Sequence, residues 1–273
     1  MMTDPSQEAR GARSGGTLAG KIAIVTGGNR GIGRAIALRL AREGARLVLA
    51  ARDETALGGT AAEIAVDGGS ATSFAADLRT PEAPAALVQT TLEACGAIDI
   101  IVSSAGATKR GDFLELTEAD WVDGFALKFF GAVRLIRAAW PHLKGRQGSV
   151  LNIIGIGGRT PGAEFTIGGS VNGAFLSFTK ALADVGVRDG VQVNAINPGW
   201  VRTDRLRQTL ERAAAGHGGD VAAAAEELVR KGNIVRLGEP EDIANLAAFI
   251  LSPQGRLFQG ALVDMDGGQT KTL

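Results

Sequence analysis

Short apolar runs alternate along this chain with longer Ala- and Leu-rich segments, from Lys21 nearly to the C-terminus. The runs cover 22–25, 46–50, 71–74, 98–102, 149–154, 191–196 and 261–264. Most are near-continuously apolar rather than alternating, the mark of strands buried on both faces of a parallel sheet. The segments between them carry apolar residues at helical spacing. Right-handed crossovers wind such a chain into an α/β fold. The expected form is a single-domain, Rossmann-type doubly wound parallel sheet, about seven strands flanked by helices on both faces. No repeat or linker breaks the rhythm, so 18–273 are expected to form one domain behind a flexible N-terminal tail over 1–17.

Composition narrows the classes. Of 273 residues, 45% are hydrophobic and 21% charged, which excludes a largely disordered chain. Lys+Arg and Asp+Glu are equal at 29 each, so bulk charge favours neither nucleic acid nor an anionic membrane as partner. The tail lacks the apolar core of a signal peptide, and no segment approaches the roughly 18 apolar residues of a membrane span. The single cysteine, Cys95, rules out an intramolecular disulfide and fits a reducing cytoplasm, the expected location. His142 and His217 have no partners at ligand spacing, so no metal site is expected. There is no tyrosine.

The run Thr26-Gly27-Gly28-Asn29-Arg30-Gly31-Ile32-Gly33 follows the first strand and leads into a helix expected over 34–43. Glycines there permit a tight turn and let the backbone approach a pyrophosphate, whose charge sits at the positive end of the helix. At the end of the second strand, where an NAD site places a carboxylate for the ribose 2′-hydroxyl, stand Ala51 and Arg52. A guanidinium there suits a 2′-phosphate, and Arg30 is placed to join it, so NADP(H) is favoured over NAD(H). The other reading makes both arginines ordinary surface residues.

With these motifs in hand, the chain resembles the short-chain dehydrogenase/reductase family over Leu18 to Gly268, in style closest to the 3-oxoacyl-carrier-protein reductases. The glycine loop carries the pattern at Thr26, Gly27, Gly31 and Gly33, with Asn29, Arg30 and Ile32 between them. Asp77-Leu78 stands where the family contacts adenine, and Ser103-Ser104-Ala105-Gly106 takes the place of an Asn-Asn-Ala-Gly motif. Asn197-Pro198-Gly199-Trp200-Val201-Arg202-Thr203 resembles the segment lying against the nicotinamide. The resemblance implies that Ser104, Ala105, Gly106, Asn172, Pro198, Gly199, Val201 and Thr203 line a cofactor site. It also implies a lid over 203–232, and a homodimer or homotetramer paired through helices 118–143 and 166–186.

The resemblance also implies four catalytic positions, and here the chain departs from the pattern. A tyrosine phenol protonates the carbonyl oxygen in the family, a lysine lowers the phenol pKa, a serine holds the substrate oxygen and an asparagine holds a water relay. Matched by their neighbours, the serine position is Gly155, the tyrosine position Gly168, the lysine position Asn172 and the asparagine position Lys128. The last two exchanges are reciprocal. If their side chains meet, an amine and an amide occupy the site with places swapped. Lys128 is then a partner for a substrate anion or the cofactor ribose, or a base if burial lowers its pKa. The alternative is a lysine reaching solvent beside a degenerate pocket. Glu164, Thr166 and Ser170 flank Gly168 and are further candidates for a proton or a hydrogen bond.

Three functions stay open. One is an oxidoreductase acting on a carbonyl/alcohol substrate with a non-standard proton donor. Another is an inactive dinucleotide-binding regulatory or scaffold protein. The third is a non-redox lyase or isomerase. The substrate is not legible.

Overall fold

A computed structural model describes residues 16–272. Seven parallel strands form one sheet: β1 (Ile22–Thr26), β2 (Arg46–Ala51), β3 (Ser70–Ala75), β4 (Ile100–Ser103), β5 (Ser149–Ile153), β6 (Gln192–Pro198) and β7 (Leu262–Met265). Their spatial order is β3-β2-β1-β4-β5-β6-β7, with Thr26 level with Ser103, and Ser103 level with Asn152. The order reverses between β1 and β4, where the two halves of the winding diverge and leave a crevice beyond the strand ends.

The apolar runs are continuous because both faces of the sheet are covered. Ala23 and Val25 pack with α1 (Gly31–Arg42), α2 (Glu54–Val66) and α9 (Pro240–Leu251). Ile24, between them in sequence, points the other way, toward α3 (Ala83–Cys95), α5 (Ala132–Arg146) and α6 (Thr166–Asp189). The helix expected over 34–43 begins three residues earlier, because the glycine loop itself supplies the first turn. The helix expected over 118–143 is interrupted. α4 (Glu118–Phe125) passes into a π-helical turn over Ala126–Gly131 before α5 begins. The expected lid consists of α7 (Asp204–Ala213), a 3-10 turn and α8 (Val221–Gly232). No helix among the described residues is long and apolar enough to cross a membrane.

The two ends of the sheet differ in kind. At the N-terminal end, the buried Asp99 carboxylate accepts from the Ile22 amide (3.0 Å), Lys21 Nζ (3.2 Å) and Arg146 Nε (3.0 Å), joining β1, β4 and α5. Of the expected tail, Gly16 and Thr17 are described. The amide and hydroxyl of Thr17 donate to the Glu43 carboxylate at 3.1 and 2.8 Å. Residues 1–15, and with them the rest of that expectation, lie outside the described residues.

Asp99→Ala removes the acceptor of a buried amide. It is expected to lower unfolding free energy by about 1–3 kcal/mol, measured by urea or thermal unfolding, while leaving dinucleotide affinity unchanged, because the crevice opens at the opposite end of the sheet.

Candidate active site

The crevice is floored by the loops after β1, β4, β5 and β6. Thr26 Oγ1 ties the first two together, accepting from the amides of Ser104 (3.0 Å) and Ala105 (3.1 Å). A Cβ at Gly33 would lie 2.3 Å from the Gly27 carbonyl oxygen, so only glycine lets the first turn of α1 come this close. That turn has no side-chain cap and no acidic residue, which leaves its positive end free to face an anion. Arg30 stands at its N-cap. These features fit a dinucleotide pyrophosphate.

The other residues expected at the cofactor site are placed as follows. Gly31 faces the methyl of Thr203, and Ser104 lies against Gly33. The side chains of Leu78 and Val201 are buried in the core and that of Ile32 packs partly against it, so these three offer the crevice only backbone. Asn29 is half-buried in the loop. Gly199 closes on Asp266, where a Cβ would lie 2.7 Å from its Cβ, and Pro198 ends β6 beside Met265. Ala105 and Gly106 continue the β4 loop, with Gly106 directly against the Lys128 side chain. Burial raises the pKa of Asp77, but hydrogen bonds from the Arg79 amide and guanidinium outweigh it, and the carboxyl stays below its usual range. Arg52 and Arg30 have different charged neighbours: Arg52 acts on Asp77, and Arg30 on Arg205.

At the positions expected to be catalytic, Lys128 and Asn172 meet. Lys128 Nζ donates to Asn172 Oδ1 at 2.6 Å and to the Ile154 carbonyl, while Asn172 Nδ2 donates to the Gly155 carbonyl at 3.4 Å. The π turn carries Lys128 into this position. Its single widened turn rotates the helix face, and Phe129 anchors it edge-on to Phe175 (6.1 Å) and Phe178 (5.9 Å) of α6. Burial, with the nearby positive charge of Arg205, depresses the Lys128 pKa to about 7.

The other two positions have no side chain to contribute, and the structure shows what takes the space. At Gly168 a Cβ would lie 2.0 Å from the Phe165 ring, which also covers Gly157. Arg110 stacks on that ring, 4.1 Å from its centroid, and lies 5.8 Å from Trp200. Gly155 adopts φ +119°, a conformation that L side chains rarely adopt. Of the flanking candidates, Glu164 and Ser170 are exposed, and the Thr166 hydroxyl is buried without a partner. Phe165, which lies between two of them, joins the site unannounced by any sequence motif, as do Arg110 and Arg205. Among the described residues, no group of three or more His, Cys, Asp or Glu could hold a metal ion.

Gly168→Ala is expected to cost about 1–3 kcal/mol through displacement of the Phe165 ring. In a double-mutant cycle read by thermal unfolding, that penalty shrinks when Phe165→Ala is already present.

Comparison with known proteins agrees with this geometry. Residues 27–270 match the family model described as enoyl-(acyl carrier protein) reductase. An oxidoreductase of Mycobacterium tuberculosis is 36% identical, covering 92% of each chain. The 3-oxoacyl-acyl-carrier-protein reductase FabG of Vibrio harveyi is 32% identical over 92% of this chain and 98% of its own. The crystal structure of L-sorbose reductase from Gluconobacter frateurii, complexed with NADPH and L-sorbose, superposes with a TM-score of 0.90 at 31% identity, covering 95% of this chain and 99% of that one. Sheet order, glycine loop and full-length similarity together place the chain in the short-chain dehydrogenase/reductase family of oxidoreductases.

Proposed function

We propose that this protein reduces a carbonyl compound with NADP(H), and that Lys128 takes the role of proton donor that a phenol fills in its relatives. One observation carries the reading: a lysine deep in the crevice, bonded to two oxygens and tuned to a pKa of about 7. An ammonium has three N–H bonds. Two are engaged by the Ile154 carbonyl and Asn172 Oδ1, which leaves a third for a substrate oxygen. After the proton leaves, the amine keeps two N–H bonds for the same two acceptors, so neither buried oxygen loses its partner. A donor whose pKa lies near the working pH is half-charged and exchanges protons readily.

Bound NADPH supplies the hydride that reduces the carbonyl carbon. The residues of this chain hold that cofactor, hold the substrate oxygen near Lys128 and deliver the proton. Support for the cofactor comes from the uncapped first turn of α1, from Arg52 directly after Ala51, which takes the place of a ribose-binding carboxylate, and from the NADPH bound by the similar L-sorbose reductase. Asn172 acts as a positioning residue, fixing Nζ through Oδ1. The exposed apolar residues Val122, Phe130 and Val187, on the helices expected to pair subunits, support a homodimer or homotetramer.

Lys128→Met is expected to lower kcat for NADPH-dependent carbonyl reduction by about a hundred- to ten-thousand-fold, with the NADPH Kd from fluorescence titration unchanged. Reduction by the wild type falls as pH rises through about 7, since the donor must be protonated. Arg205→Gln removes a repulsive neighbour and shifts that limb to higher pH. A wild type that binds NADPH yet turns over no carbonyl in a broad panel would sink the reading in favour of a binding protein. Arg52→Ala should weaken NADPH on the order of tenfold and leave NADH unaffected, measured by the same titration.

A further inference from the structure

Resting on that reading, we propose that the substrate carries an anionic oxygen group, a carboxylate or phosphate, held between Arg110 and Arg205 in the same crevice as Lys128. Elsewhere in the structure arginines are commonly matched with carboxylates, as in Arg34 with Glu63, Arg39 with Glu43, Arg79 with Asp77 and Asp123, and Arg236 with Asp242. The crevice is different. Among the described residues, neither Arg110 nor Arg205 has a carboxylate within 4 Å, and Lys128 has none either. Arg110 sits over the Phe165 ring and within reach of Trp200. Among the described residues, no acceptor takes its five guanidinium N–H donors. Arg205, in the first turn of α7, makes one long bond, 3.4 Å, to the Gly106 carbonyl. Gly106 in turn lies against the Lys128 stem, so the two cations flank one residue.

Both side chains keep exposed surface, where an entering anion can reach them. Burial lowers the pKa of Arg110 against the opposing field of Glu164. Burial, then Arg110 and Arg30, lowers that of Arg205. A guanidinium does not deprotonate in a protein, so both side chains stay charged. The protein as a whole has no net charge, which makes this excess of cations local to the crevice. The cofactor pyrophosphate accounts for one anion, at the glycine loop beside Arg30. Arg110 lies instead with Phe165 and Trp200, which leaves it available to a second. Its planar fork matches two oxygens of a carboxylate or phosphate, which a hydroxyl or an ester cannot replace.

The test uses the protein saturated with NADP+ and calorimetric titration of matched pairs: levulinate against methyl levulinate, and dihydroxyacetone phosphate against dihydroxyacetone. Tighter binding of the anion in at least one pair by tenfold or more, lost in Arg110→Gln with NADPH affinity unchanged, supports the proposal. Arg205→Gln should weaken the same anion. Equal binding within both pairs overturns it. So does an Arg110→Gln variant whose only defect is weaker NADPH binding, since that assigns the arginine to the cofactor phosphates. The same pairs assayed for NADPH oxidation separate the two readings. Anion binding without turnover leaves the anion site standing and removes the reductase. Turnover of ester and acid at equal kcat/KM does the reverse.

Discussion

A positive charge kept from full hydration is the constraint around which this crevice is built. Lys128 Nζ is stable there only because two oxygens face it, one from the backbone after β5 and one from Asn172. Uncompensated, such a charge would lose its proton or open the structure. The π turn between α4 and α5 delivers the lysine, the phenylalanine cluster on α6 holds the turn, and Asn172 on the same α6 receives the amine. Helix geometry, aromatic packing and proton chemistry are thus coupled through one side chain.

The sheet separates this chemistry from the work of holding the fold together. Its N-terminal end is closed by Asp99 and the cations that surround it, while its C-terminal end presents loops whose amides and glycines stay available. Seven strands with two buried faces give the loops a stiff platform, and the reversal of strand order between β1 and β4 gives them a gap to line.

Much of this was legible in the sequence. The apolar runs located all seven strands to within two residues at either end, because strands buried on both faces leave little freedom in residue type. The meeting of the Lys128 and Asn172 side chains was also readable, since each sits in a helix whose register its neighbours fix. The π turn was not, because one extra residue in a helix changes no composition and leaves the apolar stripe intact on both sides. Arg110 and Arg205 were missed for a related reason. One lies in a loop and the other in the first turn of α7, settings in which an arginine is ordinarily solvated, and only the tertiary fold brings them to the same crevice. Phe165 was overlooked between polar neighbours that drew attention as hydrogen-bonding groups.

The backbone at Gly155 and the ring over Gly168 also bear on how the site can change. A hydroxyl side chain at the first position meets an unfavourable torsion, and any side chain at the second collides with an aromatic ring already held by an arginine. No single exchange leads from this arrangement to one with a phenol and a serine, because each intermediate is strained before the new groups can cooperate. The order of changes therefore matters: a larger side chain at 168 becomes accessible to a designer or a lineage only after the Phe165 ring has given way.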